Sequence, residues 1–165
     1  MAELQKLLIP YRENNGLNPK MIGILDSFLV CYEEVALANG KSQEEINDPM
    51  GRIIAEIDKQ IRTPYRFEPY HRKIRSPFDY YQLGIDFISP LVKLRDSTLS
   101  GGSNLMAINE EVKRGENVVL FANHQIEGDP QVISIMLEDC YPKLAEEMIF
   151  VAGERVLVDP LAAPF

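Results

Sequence analysis

The sequence has few cysteines: only Cys31 and Cys140, which lie far apart. Neither has another metal-binding side chain at the short spacing that zinc sites use. A chain with so little cysteine does not have the composition of a disulfide-stabilised secreted domain. We therefore interpret both residues as buried, reduced thiols of an intracellular protein.

Long apolar runs are also absent. No stretch approaches the roughly 20 apolar residues that span a bilayer, and the first residues have neither a signal core nor transit-peptide character. The chain of 165 residues is 45% hydrophobic and 25% charged, without low-complexity tracts. These values are typical of one globular domain, or of a small domain with part of another. We expect a soluble protein that is untargeted or already processed.

Positive charge is scarce overall, because 17 basic residues face 25 acidic ones and the net charge is −8. This balance argues against nucleic acid and anionic membranes as partners. The basic residues are nevertheless concentrated between positions 59 and 75, with only Glu68 opposing them. This basic segment is either a solvated face between domains or a docking surface for an acidic protein. Its members are Lys59, Arg62, Arg66, Arg72, Lys73 and Arg75.

The first part of the chain has the pattern of a small helical bundle. Apolar residues recur with the helical period, and short loops predict antiparallel neighbours. Asn18-Pro19 and Asn39-Gly40 have the residue types that begin and end a helix. Ser42 and Glu45 predict a capping box before a brief turn. The helices expected here are residues 2–11, 19–38 and 49–63, the last beginning at Pro49.

The next part is predicted to be a linker and two further helices. Residues 64–76 contain two prolines and most of the basic segment, which is typical of a linker. Pro77 is expected to open a helix that Pro90 kinks or ends. A flexible break at residues 100–103 then precedes a helix over residues 104–114, which Gly115 closes.

The last part predicts a strand, a helix and a second strand. Residues 118–122 and 148–152 are continuously apolar, as in strands that are buried on both faces. The helical stripe over residues 130–140 lies between them, so a right-handed βαβ unit with parallel strands is expected. Two strands do not make a viable sheet alone. We therefore predict an α/β fold in which a helical domain (1–63) and a basic linker (64–76) precede the start of a truncated parallel-sheet domain (77–165).

A candidate acid–base pair follows the first predicted strand. His124 follows this strand after Asn123, and four residues, the last of them the flexible Gly128, separate it from Asp129. Ligands of open parallel sheets bind beyond the carboxyl ends of the strands. A neutral imidazole can accept a proton there, and a carboxylate can orient it and stabilise the imidazolium. The pair is suited to deprotonating a substrate hydroxyl that attacks an activated acyl carbon.

Other interpretations of these residues remain open. Asp129 precedes a proline and a helical stripe, so it could simply cap that helix. His124 could be a loop histidine without a role. Together with Glu127, the two residues could instead bind a metal in a hydrolase, although metal sites usually have clearer spacing and a second histidine. Arg155 follows the second predicted strand and is either an anion ligand or a surface arginine.

Several motifs resemble one family. His124 and Asp129 fit the His-x4-Asp motif of glycerolipid acyltransferases. Three longer strings resemble the soluble glycerol-3-phosphate acyltransferases of plant plastids and their chlamydial-type bacterial relatives. These are HRKIRSPFDYY at 71–81, NVVLFANHQ at 117–125 and FVAGERVLVDPL at 150–161.

The resemblance implies both a fold and a reaction. The fold is a helical domain followed by an α/β acyltransferase domain. The reaction moves a fatty acyl group from acyl carrier protein, or coenzyme A, to the sn-1 hydroxyl of glycerol 3-phosphate and gives lysophosphatidic acid. It implies His124 as general base, Asp129 as its orienting partner and Arg155 near the phosphate site. We expect no cofactor, and no metal either, because a neutral His124 needs only to accept a proton and the metal-ligand set is poor.

The family's later phosphate-binding blocks have no counterpart in this sequence, so we expect a truncated chain. The family also implies a location in the plastid stroma or in a bacterial cytoplasm. The alternative function is that of a non-catalytic helical module, which would use the basic segment to bind an acidic protein.

Overall fold

A computed structural model describes residues 2–14 and 16–162 of the chain. The outer limits of the predicted domains, Met1 and Phe165, lie outside the described residues. Helices dominate the described part of the chain, which contains no β-strand. The α-helices are α1 (Ile9–Glu13), α2 (Pro19–Ala38), α3 (Gln43–Arg62), α4 (Tyr80–Ile88), α5 (Gly102–Lys113), α6 (Asp129–Glu138), α7 (Pro142–Glu147) and α8 (Arg155–Val158). Short 3₁₀ helices cover Leu4–Leu8, Ser89–Leu91 and Leu94–Asp96.

Local capping groups set the ends of α2, as the sequence predicts. The Asn18 side chain accepts a hydrogen bond from the backbone N–H of Met21 at 2.9 Å, which satisfies one free donor of the first turn. Gly40 follows the last turn with a φ of +84°, a left-handed conformation that favours glycine. The predicted bounds of α2 are therefore confirmed.

The start of α3 differs from the prediction. Ser42 and Glu45 form the expected capping box, but the helix that begins there continues without a break to Arg62. Pro49 lies inside this helix instead of opening a new one. An internal proline removes one helical hydrogen bond and costs roughly 3 kcal/mol. Pro49 itself is buried, and the buried face of α3 runs past it from Ile46 to Ile57, so tertiary packing outweighs the local preference.

The hydrophobic core lies between α2, α3, α4 and the N-terminal 3₁₀ helix. Its largest fully buried side chains include Leu4, Leu8, Leu29, Ile46, Met50, Ile53, Ile54, Ile57 and Leu83. The buried carboxylate of Glu33 accepts hydrogen bonds from the backbone N–H groups of Glu3 (3.1 Å) and Leu4 (2.7 Å). The beginning of the chain is thereby fixed to α2, and its free donors are satisfied.

Helix α4 begins at Tyr80, three residues later than predicted. The reason is local, because the Asp79 side chain accepts from the N–H of Gln82 at 2.9 Å and so caps the helix at this point. Its buried residues Leu83 and Phe87 join the hydrophobic core. The Tyr32 hydroxyl on α2 donates to the carbonyl of Phe87 at 2.6 Å. Thus α4 packs against the helical bundle, while the predicted domain division at residues 64–76 stays a prediction.

Helices α6 and α7 form a second layer on α4. Gly84 lies at the contact between α4 and α6, where a Cβ atom would stand 3.2 Å from Cγ of Gln131. The absence of a side chain at Gly84 therefore allows α6 to approach closely. The buried side chains of this layer are Ser134, Ile135, Leu137, Leu144 and Ala145. Helix α6 confirms the helix expected at 130–140, whereas α7 and α8 were not predicted.

The structure does not show the predicted parallel sheet. Residues 118–122 and 148–152 have no regular secondary structure, and α6 and α7 lie between them in the chain. Val119, Leu120 and Val151 are exposed, and Phe121 is 96% exposed. A strand requires a hydrogen-bonded partner, and the described residues provide none for either segment. The coarse prediction of a helical first part is confirmed, and the βαβ unit is not.

The two cysteines correct another expectation. Both thiols are free, as predicted, but both residues are exposed and not buried. Cys31 lies in α2 beside Val30, which is also exposed, and Cys140 lies in the turn after α6. Residue type alone suggested burial, and the faces that these segments turn to solvent decide otherwise.

The described residues contain no helix that is both long and apolar enough to cross a bilayer.

Candidate active site

His124 and Asp129 are in direct contact. Nδ1 of His124 lies 2.9 Å from Oδ2 of Asp129, although the two side chains belong to different local structures. His124 is in the irregular segment before α6, and Asp129 is the first residue of that helix. The sequence prediction that Asp129 folds back onto His124 is met in this geometry. The catalytic role of the pair stays a prediction.

The carboxylate of Asp129 also orders the loop around the histidine. Its Oδ2 atom accepts from the backbone N–H groups of Gln125 at 2.7 Å and Ile126 at 3.3 Å. Donation from Gln125, and then from Ile126 and His124, lowers the pKa of the Asp129 carboxyl below its ordinary value. The group is therefore ionised at neutral pH and can only accept hydrogen bonds.

These contacts distinguish Asp129 from a helix cap. The N-cap position of α6 is Gly128, and no side-chain cap hydrogen bond occurs there. The Asp129 carboxylate binds donors that precede it in the chain and not the free N–H groups of the helix that follows. The capping interpretation, which the sequence left open, does not describe this geometry.

The ionised carboxylate determines which nitrogen of His124 carries the proton. Because Asp129 can only accept, Nδ1 is the donor in their hydrogen bond, and Nε2 of neutral His124 keeps its lone pair. The His124 side chain is 66% exposed, so Nε2 can be reached from solvent. The pair is chemically able to take a proton from a bound hydroxyl and to stabilise the resulting imidazolium.

The loop between His124 and Asp129 packs against the end of α4. At Gly128 a Cβ atom would stand 3.2 Å from Cδ1 of Ile88, so the loop rests closely on the end of α4. Helix α4 is in turn anchored to the helical core by Leu83 and Phe87. The candidate site is therefore an exposed pair of side chains on a supported loop.

The metal interpretation gains no geometric support. Glu127 is fully exposed, and its carboxylate lies 4.0 Å from Nε2 of His124. Among the described residues, no group of three or more His, Cys, Asp or Glu side chains could hold a metal ion. The His124, Glu127 and Asp129 triplet therefore does not form a ligand set in this conformation.

Arg155 lies in the short helix α8 and is largely exposed. Its guanidinium is 3.4 Å from Oδ2 of Asp159, one turn further along the chain. The Asp159 carboxylate therefore uses some of the hydrogen-bond donors of the Arg155 guanidinium. Within the described part of the chain Arg155 does not contact His124, so the convergence expected from a shared sheet edge stays a prediction.

The cations of the basic segment fall into two groups: those with partners inside the described part of the chain and those without. Lys59, Arg62 and Arg75 form ion pairs with neighbouring carboxylates, and Lys73 is half-buried. Only Arg66 and Arg72 are exposed and lack an acidic partner within residues 2–14 and 16–162. The continuous positive surface that the sequence suggested is thus reduced to two arginines.

Sequence reasoning missed the role of Lys73 in packing. Its ammonium group donates to the carbonyl of Ala145 and lies over the Tyr81 ring at 4.6 Å. Burial lowers the pKa of Lys73 to about 8. Nothing in the local sequence distinguishes this lysine from the other cations of the segment, because its hydrogen-bond partners Ser134 and Ala145 lie 61 and 72 residues away.

Comparison with known proteins identifies similar sequences of one kind. The chloroplastic glycerol-3-phosphate acyltransferase ATS12 of Cucurbita moschata is 36% identical over 165 residues, covering 99% of this chain and 36% of that protein. The chloroplastic glycerol-3-phosphate acyltransferase of Carthamus tinctorius is 46% identical over 105 residues, covering 64% of this chain and 23% of that protein. The corresponding protein of Arabidopsis thaliana is 37% identical over 136 residues, covering 81% and 30%.

The match covers most of this chain but only part of each relative. The chain spans roughly a third of the length of the curated relatives that it matches. No family model matches the sequence.

Proposed function

We propose that this chain, a homologue of chloroplastic glycerol-3-phosphate acyltransferases, carries the general base of an acyl transfer to glycerol 3-phosphate. One observation supports the proposal above all: the 2.9 Å contact between Nδ1 of His124 and Asp129, which leaves Nε2 as an exposed proton acceptor. The names of the relatives supply the substrate, and the geometry supplies a group able to activate its hydroxyl.

The proposed reaction needs no nucleophile from the protein. Nε2 of His124 takes the proton of the sn-1 hydroxyl while its oxygen attacks the thioester carbonyl of the acyl donor. Asp129 stabilises the imidazolium that forms. When the tetrahedral intermediate collapses, the C–S bond breaks and the imidazolium returns the proton to the departing thiolate. The products are lysophosphatidic acid and the free thiol of acyl carrier protein or coenzyme A.

We propose that the phosphate of the substrate is bound in part by Arg155. Its exposed guanidinium could replace the 3.4 Å contact with Asp159 by a bidentate contact with a phosphate. An exposed ion pair of this length contributes little stability, so its exchange would cost little.

We further propose that residues 118–122 and 148–152 act as strands when partners are available. Both segments are apolar along their length. Contiguous exposed apolar side chains, such as Phe121 and its neighbours, are unusual on the solvent-facing surface of a complete domain. The relatives are about three times as long as their matched region, so they have additional chain that could supply pairing strands. This arrangement would make the α/β fold that the sequence predicted. A plastid location is proposed on separate grounds, because the relatives are named chloroplastic.

Substitution of Asp129 by asparagine tests the role of the carboxylate. The amide oxygen of Asp129→Asn can still accept from the N–H groups of Gln125 and Ile126, so the loop is expected to keep its shape. The side chain no longer carries the negative charge that stabilises the imidazolium, so we expect turnover to fall about 10²-fold or more. Acyl transfer would be measured with glycerol 3-phosphate and an acyl thioester in the longest polypeptide containing this chain. Full activity of the variant would show that the carboxylate is only structural.

The acyl donor is proposed to be acyl carrier protein, contacted through Arg66 and Arg72. These two exposed cations lack acidic partners in the described structure, and an acidic carrier protein is complementary to them. The remaining cations of the basic segment take part in ion pairs or packing within the chain, so their contribution to the partner is expected to be smaller.

Charge reversal at these arginines should affect the KM values of the two acyl donors, acyl carrier protein and acyl coenzyme A, differently. We expect Arg66→Glu with Arg72→Glu to raise KM for the carrier-protein donor about 10-fold at low salt, and to change KM for the coenzyme A donor much less. Arg62→Glu is the matched control, because Arg62 already pairs with Asp58 at 2.8 Å. Equal effects on both donors would assign the two arginines to folding. Binding of the carrier protein without any acyl transfer would favour the alternative of a non-catalytic module.

A further inference from the structure

Lys73 connects four separate parts of the structure. Its ammonium group donates to the carbonyl of Ala145 in α7 and to the hydroxyl of Ser134 in α6, the latter at 3.4 Å. It also lies 4.6 Å from the ring centroid of Tyr81 in α4 and 5.5 Å from that of Phe150, which follows α7. We refer to Lys73 with these four partners as the Lys73 cluster.

The cluster holds a cation that contacts no carboxylate of residues 2–14 and 16–162. Burial lowers the pKa of Lys73 to about 8, and nearby Arg75 acts in the same direction, while Glu146 opposes them. At neutral pH the Lys73 ammonium group is charged in both the folded and the unfolded chain. It is hydrated in the unfolded chain and partly desolvated in the folded one, so this charge lowers the free energy of unfolding. The cluster therefore does not maximise stability, and its contacts fix the relative positions of helices instead.

The helix that Lys73 contacts is the one that carries Asp129. Ser134 is buried, and it lies five residues after Asp129 in α6, a helix of 10 residues. Helix α6 also packs against α4, where Gly84 allows Gln131 to approach. A short helix moves as a unit, so a shift at Ser134 would displace Asp129 relative to His124.

We propose that Lys73 is a positioning residue for the His124–Asp129 pair. It acts through Ser134, holding α6 in the place where the Asp129 carboxylate meets Nδ1 of His124 and the N–H groups of Gln125 and Ile126. An effect of Lys73 on catalysis rests on the proposed function, because it requires His124 and Asp129 to be the catalytic pair. The positioning itself is a structural claim that can be measured without any assay of acyl transfer.

The test compares Lys73→Met with Lys59→Met in the whole chain. Methionine has nearly the length of lysine but neither charge nor donor. Lys59 is a matched control, because it also lies over an aromatic ring, that of Phe78 at 5.7 Å, and binds Glu56 away from α6. We expect the amides of Gln125 and Ile126 to exchange at least threefold faster in Lys73→Met and unchanged in Lys59→Met. Nitrogen NMR of His124 should show a smaller fraction of the Nδ1–H tautomer in Lys73→Met.

Global stability distinguishes positioning from a general loss of structure. The free energy of unfolding of Lys73→Met at pH 7 should equal or exceed that of the original chain, because a desolvated charge has been removed. On raising the pH from 7 to 10, the folded original chain loses the Lys73 proton near pH 8, whereas the unfolded chain keeps it to about 10.5. The original chain should therefore gain stability relative to Lys73→Met over this interval.

Two results would overturn the proposal. One is unchanged exchange at Gln125 and Ile126 together with an unchanged His124 tautomer in folded Lys73→Met. The other is a parallel loss of protection throughout α3 and α6, which would mean a general structural role. If Lys73→Met does not fold, Ser134→Ala replaces it, because it removes the hydroxyl through which α6 contacts Lys73 and Tyr81. Unchanged exchange at Gln125 and Ile126 in that variant would overturn the proposal. Inactivity of the original chain would count against the proposed function and not against the positioning.

Discussion

Replacing His124 with alanine is expected to reduce acyl transfer about 10²- to 10⁴-fold, because the substitution removes the group that takes the substrate proton. The imidazole is exposed, and the hydrogen bond that it forms is with Asp129 at the start of α6, so its loss should leave the core unaffected. The effect should fall mainly on kcat, since the proton transfer develops only in the transition state. Initial rates with glycerol 3-phosphate and an acyl thioester would measure it.

The second histidine provides the control. His71 is also exposed, and its Nδ1 atom lies 2.8 Å from the backbone carbonyl oxygen of Glu68. Within the described residues it forms no ion pair with a carboxylate. His71→Ala is expected to keep near-normal turnover. If His124→Ala and His71→Ala are equally active, the general-base proposal fails. If both are equally impaired and both have lost helical structure, the effect is on folding.

The second large effect concerns hydrogen exchange in the first of the two segments predicted as strands. Amides at residues 118–121 should exchange close to their intrinsic rates in the isolated chain, because this segment is exposed and unpaired. Amides at Ile53, Ile54 and Ile57 lie in the buried face of α3 and should be protected about 10³-fold or more. Exchange followed residue by residue at low protein concentration would compare the two regions.

Protein concentration is the control for this measurement. Unpaired apolar segments tend to associate with one another, so protection at 118–121 that rises with concentration would indicate strand pairing between copies. Replacing Phe121 with glutamate should weaken that association without lowering the stability of the monomer, since the ring is already 96% exposed. Strong protection of the segment in a dilute monomer would show that the sheet forms within this chain.

Features specified by neighbouring residues could be predicted from the sequence. Asn18 and Gly40 bound α2 because a cap needs only a few adjacent groups. The contact between His124 and Asp129 is equally local, since five positions separate the two residues. In each case the backbone in between is too short to allow many alternative arrangements.

Features specified by distant residues could not be predicted in the same way. Pro49 suggested a helix start, but the packing of α3 against the core retained it inside a longer helix. The apolar run at 118–122 predicted a buried strand, yet a strand depends on partners that local pattern does not reveal. Lys73 was assigned to a charged surface, and only the folded arrangement shows its contact with Ala145.

The short span of the His124–Asp129 contact has a consequence for the order of events during synthesis. Closing a loop of so few residues has a small entropic cost, and its hydrogen bonds join groups within residues 124–129. The contact can therefore form as soon as residues 124–129 have left the ribosome, whereas under the proposed role of Lys73 its final position is fixed only when α6 and α7 pack against that lysine. Synthesis would thus produce the local geometry first, and the packing that holds it in place would follow.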